Sequence, residues 1–259
     1  MDFSEVNVVL IGAGNVATQL GIALRSAGLN IRQVYSRTTE KAEALAEQLS
    51  CEAINDLQDI HQDAALYILA VSDGAIESVL NQLPNLNGVI AHTSGVTSHT
   101  VVAEHGFTGG YFYPLQTFVA DEAMDMTTCP IFVKANEAAA EQLLLKVAQK
   151  ISNNVKVISD EQKKHLHLSA VIVNNFVNHL YALTTDMLRN EHLDFTDLEP
   201  IIESTIQRAL ANEPKSIQTG PARRNDTTTI EEHLAMLKHQ PLLRKVYKCL
   251  SKSIIKYYE

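Results

Sequence analysis

The first seventeen residues leave this chain few folds. Residues 6–11 (Val6-Asn7-Val8-Val9-Leu10-Ile11) form a largely apolar, β-branched run that ends in Gly12-Ala13-Gly14-Asn15-Val16-Ala17, and a helical apolar pattern begins at once. A strand that passes through Gly-x-Gly-x-x-Ala into a helix reads as the start of a βαβ unit. Gly12 permits the tight turn, Gly14 lets backbone come close to a diphosphate, and small Ala17 allows the helix to pack against the strand. The diphosphate would rest on the amides that open the helix, at Asn15 and Val16. Gly12, Gly14, Asn15, Val16 and Ala17 are therefore expected to bind a dinucleotide.

The end of the second strand decides which one. A site for NAD carries an acid there to accept from the ribose 2′-hydroxyl. This chain has Val34-Tyr35-Ser36-Arg37-Thr38-Thr39, with no acid, and a guanidinium among hydroxyls suits a 2′-phosphate. NADP (NADPH) is the expected cofactor, held by Ser36, Arg37 and Thr38, although Glu40 is near enough to compete for Arg37. Val71 and Ser72 end a later strand and are expected to line the nicotinamide ribose, with Asp73 as a helix N-cap. His92, Ser94 and Gly95 end the next strand, and Tyr113 and Gln116 the one after. Polar groups converging from successive strand ends are what a small-molecule substrate pocket requires.

The rest of the chain fits this start. Strands are predicted over 6–11, 31–35, 66–71 and 88–92, with helices over 16–27, 40–49 and 75–83 between them; 109–113, 131–133 and 155–158 add strands, and 137–151 a helix. After residue 158 the strand signal ends. Ser159-Asp160-Glu161-Gln162 opens a helix reaching about residue 188, followed by helices over 194–210, 227–238 and 241–257. The fold class is thus α/β, a Rossmann-type, mainly parallel sheet domain over 1–158 followed by an all-helical domain over 159–259. The net charge of -9 disfavours nucleic acid as a partner, and no apolar run is long enough to cross a membrane. The three cysteines are far apart, and the N-terminus is acidic where a signal peptide is basic, so a reduced, cytoplasmic protein is expected. No histidine spacing points to a metal.

These motifs together resemble the bacterial NADP oxidoreductase-type proteins that join a Rossmann-like domain to an uncharacterised helical C-terminal domain of the DUF2520 type. That group lies within the superfamily of pyrroline-5-carboxylate reductases and β-hydroxyacid dehydrogenases. In the first half the resemblance rests on residues 12–17, Ser36-Arg37, Ala70-Val71-Ser72-Asp73, His92-Thr93-Ser94-Gly95 and Tyr113-Pro114-Leu115-Gln116-Thr117-Phe118. In the second it rests on His167 with Asn175, and on Thr219-Gly220-Pro221 through Arg224 and Asp226 to His233-Leu234. Two departures stand out: Tyr113 occupies a position that is usually His, and Asn225 one that is usually Gly.

The resemblance also aligns Val171, Asn174 and Asn175 with a Lys and two Asn on the long helix of β-hydroxyacid dehydrogenases. Val171 cannot act as that Lys does. His167, one turn earlier, is the expected proton donor, with Asn175 and Asn174 near the same helical stripe to orient substrate. The alternative is that these polar residues satisfy one another at an interface. Arg224 is expected either to bind a substrate carboxylate or to pair with a helix-capping Asp226. The implied function is NADP(H)-dependent hydride transfer to or from a small carbonyl, hydroxy acid or imine, by a homodimer formed through the helical domain. An inactive NADP-binding sensor or assembly protein is the alternative that Val171 favours.

Overall fold

The computed structural model describes residues 6–119, 122 and 124–259. Two compact units divide the chain between Ala170 and Val171. The first contains β1 (Asn7–Ile11), α1 (Asn15–Ser26), β2 (Asn30–Tyr35), α2 (Thr39–Leu49), β3 (Glu52–Ile54), β4 (Leu66–Leu69), α3 (Ile76–Leu80), β5 (Val89–His92), α4 (Thr100–Glu104), β6 (Gly109–Pro114), β7 (Ile131–Ala135), α5 (Ala138–Ile151), β8 (Val155–Val157) and α6 (Asp160–Ala170).

The strands form one sheet in the order β3-β2-β1-β4-β5-β6-β7-β8. Every pairing is parallel except β6 with β7. The chain winds outward from β1 to β3 and then returns to β4 on the other side of β1, so the switch point lies between β1 and β4, where ligands bind in open α/β sheets. Both faces are covered. Along β1, Val8 and Leu10 enter the core formed with Leu20 and Leu24 of α1 and with Leu144 of α5, while Val9 and Ile11 enter the opposite core with Tyr67, Leu69 and Ile76. A strand buried on both faces needs no polar alternation, which is why residues 6–11 read as nearly continuous apolar sequence.

The turn after β1 requires its first glycine. Gly12 has φ +121°, and a Cβ there would stand 2.3 Å from the Ala70 carbonyl oxygen of the neighbouring strand end. Asp73 is not the helix cap expected of it. The 3-10 turn Asp73–Ala75 is entered from Ser72 without a side-chain cap, and Asp73 leaves its carboxylate exposed.

The second unit is helical throughout: a π-helical segment Val171–Phe176, then α7 (Val177–Asn190), α8 (Glu199–Ala211), α9 (Thr227–Met236) and α10 (Pro241–Tyr258). Asp226 caps α9 by accepting from the Thr229 N–H (3.1 Å) and hydroxyl (2.8 Å). Asn225 before it is left-handed at φ 53°. Asn tolerates that conformation better than most residues, so it serves where Gly is usual. The unit buries very little of itself. Of residues 171–259 only Ala222, Leu237 and Ser251 are buried, while Val173 is 69% exposed, Leu210 84% and Met236 77%.

Candidate active site

A groove of about 370 Å³ runs along the carboxyl edge of the sheet between Gly12-Ala13-Gly14, Ser36-Arg37-Thr38 with Lys41, and Val71-Ser72. Its chemistry fits a nicotinamide dinucleotide with a 2′-phosphate. Helix α1 begins after Gly14 with no side-chain cap, which leaves its first amides for a phosphate. A Cβ on Gly14 would meet nothing within 4 Å, so it would fill space that a diphosphate needs. Arg37 and Lys41 are exposed and form no ion pair among the described residues; Glu40, the expected competitor, does not pair with Arg37. Lys41 went unread in the sequence. It stands one turn beyond Arg37, on α2, and on an amphipathic helix such a lysine reads as a solvated face. The Asn15 side-chain amide donates to the Phe118 carbonyl (2.9 Å) and so ties the loop after β6 to α1.

Farther along the same edge, Tyr113 of β6 meets His167 of α6. The hydroxyl lies 3.0 Å from His167 Nδ1, and the rings meet edge to face at 6.1 Å. Gly95 lets them do so: a Cβ on residue 95 would stand 2.4 Å from His167 Nδ1 and 3.0 Å from the Tyr113 hydroxyl. Burial pushes the Tyr113 phenol up to about 12, so it holds its proton at neutral pH. The negative charge of exposed Asp73 adds to burial in raising it.

His92 and Ser94, both expected to meet substrate, do not have free side chains. His92 has no exposed surface; its Nε2 contacts the Ser98 carbonyl (3.1 Å) and its Nδ1 accepts from the Ser94 N–H (3.2 Å). Burial, reinforced by the nearby Lys163 ammonium, pushes the imidazole down to about 4, so it is a neutral support for the turn. The Ser94 hydroxyl donates to Thr97 Oγ1 (2.9 Å) and accepts from the Val96 and Thr97 amides. Gln116 is exposed and turns its carbonyl oxygen back to the Thr117 N–H (2.9 Å).

Asn174, Asn175 and Arg224 belong to the second unit and are exposed. The stripe expected to align Asn174 and Asn175 with His167 assumed α-helical rotation throughout, and that does not hold, because Val171–Phe176 is π-helical. Arg224 lowers the Asp226 carboxyl electrostatically, but hydrogen bonds from Thr229 contribute more.

The strongest feature that sequence reading missed is Lys163. It has no exposed surface; its ammonium donates to the Ser94 carbonyl (3.0 Å) and the Thr97 carbonyl and stands 3.9 Å over the Tyr111 ring. Burial pushes it down to about 8, against the opposing pull of Asp160. The only available signal was its spacing of four from His167, which puts both on one helix face.

Residues 7–91 match the family described as NADP oxidoreductase, coenzyme F420-dependent, and residues 129–254 match the domain of unknown function DUF2520. A solved structure from Bacteroides fragilis, described as a "putative NADP oxidoreductase", is 38% identical over 98% of this chain and all of that one, with a TM-score of 0.92. An imine reductase from Myxococcus stipitatus in complex with NADP+ shares the fold at 16% identity, over 96% of this chain and 93% of that one, with a TM-score of 0.66. A glutamyl-tRNA reductase from Chromohalobacter salexigens is 39% identical over 85 residues, which are 33% of this chain and 19% of that protein.

Proposed function

The chain belongs to the family that joins an NADP oxidoreductase domain to DUF2520, and from that premise we propose that it is an NADP(H)-dependent oxidoreductase acting on a small carbonyl, hydroxy-acid or imine substrate. The observation that carries this reading is the Tyr113–His167 pair at the sheet edge that also bears the Arg37 and Lys41 groove. Bound NADPH supplies a hydride. The chain's own residues manage the proton. Tyr113 keeps its phenol proton at neutral pH, and its hydroxyl, 3.0 Å from Nδ1, fixes the orientation of the His167 ring. The ring in its doubly protonated form gives its Nε2 proton to the oxygen or nitrogen as hydride adds to the adjoining carbon, and the neutral ring left behind takes a proton from solvent before the next turnover.

The first test is direct binding of NADPH and NADH, followed by an oxidation screen with small keto acids and cyclic imines. NADPH-selective binding with turnover of at least one substrate is expected, and His167→Asn should then lower kcat about 10²- to 10⁴-fold. Tight NADPH binding without turnover would favour the second reading, a cofactor-binding sensor, which the absence of a Lys at Val171 supports. Indifference to both nucleotides would remove both readings.

The helical unit, read from the sequence as 159–259, is assigned to dimerisation. Apolar side chains as exposed as Leu210 and Met236 on a unit with three buried residues are better suited to an interface between copies than to water.

A further inference from the structure

Among the described residues Lys163 is the only buried Lys, Arg, Asp or Glu, and it stands in a ladder with His167. Lys163 and His167 are one turn apart on α6, and Tyr111 and Tyr113 leave the same face of β6. Four helical residues rise about 6.0 Å and two strand residues about 6.6 Å, so both rungs form in register: Lys163 over Tyr111 at 3.9 Å and His167 on Tyr113 at 3.0 Å. The same helix grips the turn after β5. Lys163 holds the carbonyls of Ser94 and Thr97, and Asp160 accepts from the Ser98 hydroxyl (2.6 Å) and the His99 N–H (3.1 Å).

Within that turn the amides of Ser94, Val96 and Thr97 all have partners. The N–H of Gly95, a buried residue, has none among the described residues. A buried donor without a partner costs free energy that an arriving acceptor recovers. The Ser94 carbonyl belongs to the same trans peptide plane and points away from the Gly95 N–H. An ammonium on that carbonyl therefore fixes the plane, and it polarises the N–H into a better donor.

We propose that the Ser94–Gly95 peptide is a ligand-binding subsite in which the Gly95 N–H donates to a carbonyl or carboxylate oxygen beside His167, and that Lys163 is the positioning residue that holds it. The ligand's identity rests on the hydride-transfer reading: the oxygen belongs to the nicotinamide carboxamide or to a small keto acid.

Ser94-Gly95 is the only Ser-Gly pair in the chain, so protein made with carbonyl-¹³C serine and ¹⁵N glycine gives a single cross-peak for this peptide. In the full-length chain, NADP+ alone or NADP+ with pyruvate is expected to move the Gly95 amide proton downfield. A shift with NADP+ alone assigns the oxygen to the carboxamide, and a shift that also needs pyruvate assigns it to the substrate. A peak that neither probe moves overturns the subsite. Lys163→Met should move the same peak upfield in the free chain and weaken binding of the active probe about tenfold. Lys163→Gln, which keeps N–H donors without the charge, carries the same readout if the Met variant does not fold. Loss of thermal stability with an unmoved cross-peak would mean that Lys163 only braces the fold, and would overturn the positioning role. Failure of NADP+ to bind wild-type protein would count against the proposed function, yet the effect of Lys163→Met on the free chain would remain measurable.

Discussion

On the proposed function, single side chains decide the choice of cofactor. Arg37 and Lys41 face one groove without competing acids, so Arg37→Ala should weaken NADPH at least tenfold while leaving NADH within about twofold, and Lys41→Ala should do the same more mildly. Titration calorimetry with both nucleotides checks this; equal losses would refute the 2′-phosphate assignment. His92 makes a different prediction. Its imidazole takes up a proton near 6.5 when unfolded and only near 4 in the fold. Between those values the unfolded chain holds more protons, so stability falls as pH falls, by about 2–3 kcal/mol from this residue by pH 4.5. Thermal melts of wild type and His92→Gln should show the steeper acid loss in wild type. The backbone of the cofactor edge was legible, because the left-handed turn at Gly12 depends on local sequence, and Arg37 does line the groove beside it. His92 and Lys163 were not. A histidine at a strand end and a lysine on an amphipathic helix look exposed until tertiary packing encloses them.

At the scale of elements, strands with long apolar runs declared themselves, and the misses have physical causes. Glu52–Ile54 joins the sheet as β3 with only three residues, too few for a periodic pattern, and its place is fixed by pairing with β2. Thr100–Glu104 is equally short. The long helix was expected to be uniform, but its 171–176 segment is π-helical, and β-branched Val171, Ile172 and Val173 give no local sign of the wider turn. Helix α9 offers a clean test of local chemistry. Asp226→Ala removes two bonds to Thr229 and should lower the Tm by a few degrees, whereas Asn225→Gly, which suits the same left-handed backbone, should leave it nearly unchanged. Calorimetry of both variants decides; equal destabilisation would show that the cap is not what orders this helix.

For the molecule as a whole, the helical unit's exposed apolar surface makes self-association the expected state. Light scattering coupled to size exclusion should give twice the chain mass, and Leu210→Glu with Met236→Glu should shift the population toward monomer. A wild-type monomer at micromolar concentration would remove the dimer from the proposed function. The ladder between α6 and β6 has a consequence for how such chains can diverge. Because the spacings 163–167 and 111–113 are read against each other, neither can change length alone. One residue inserted between Lys163 and His167 would swing the imidazole by about 100° away from Tyr113. Insertions and deletions are therefore expected to be absent from these two spans in functional descendants of this chain, even where the side chains themselves are exchanged.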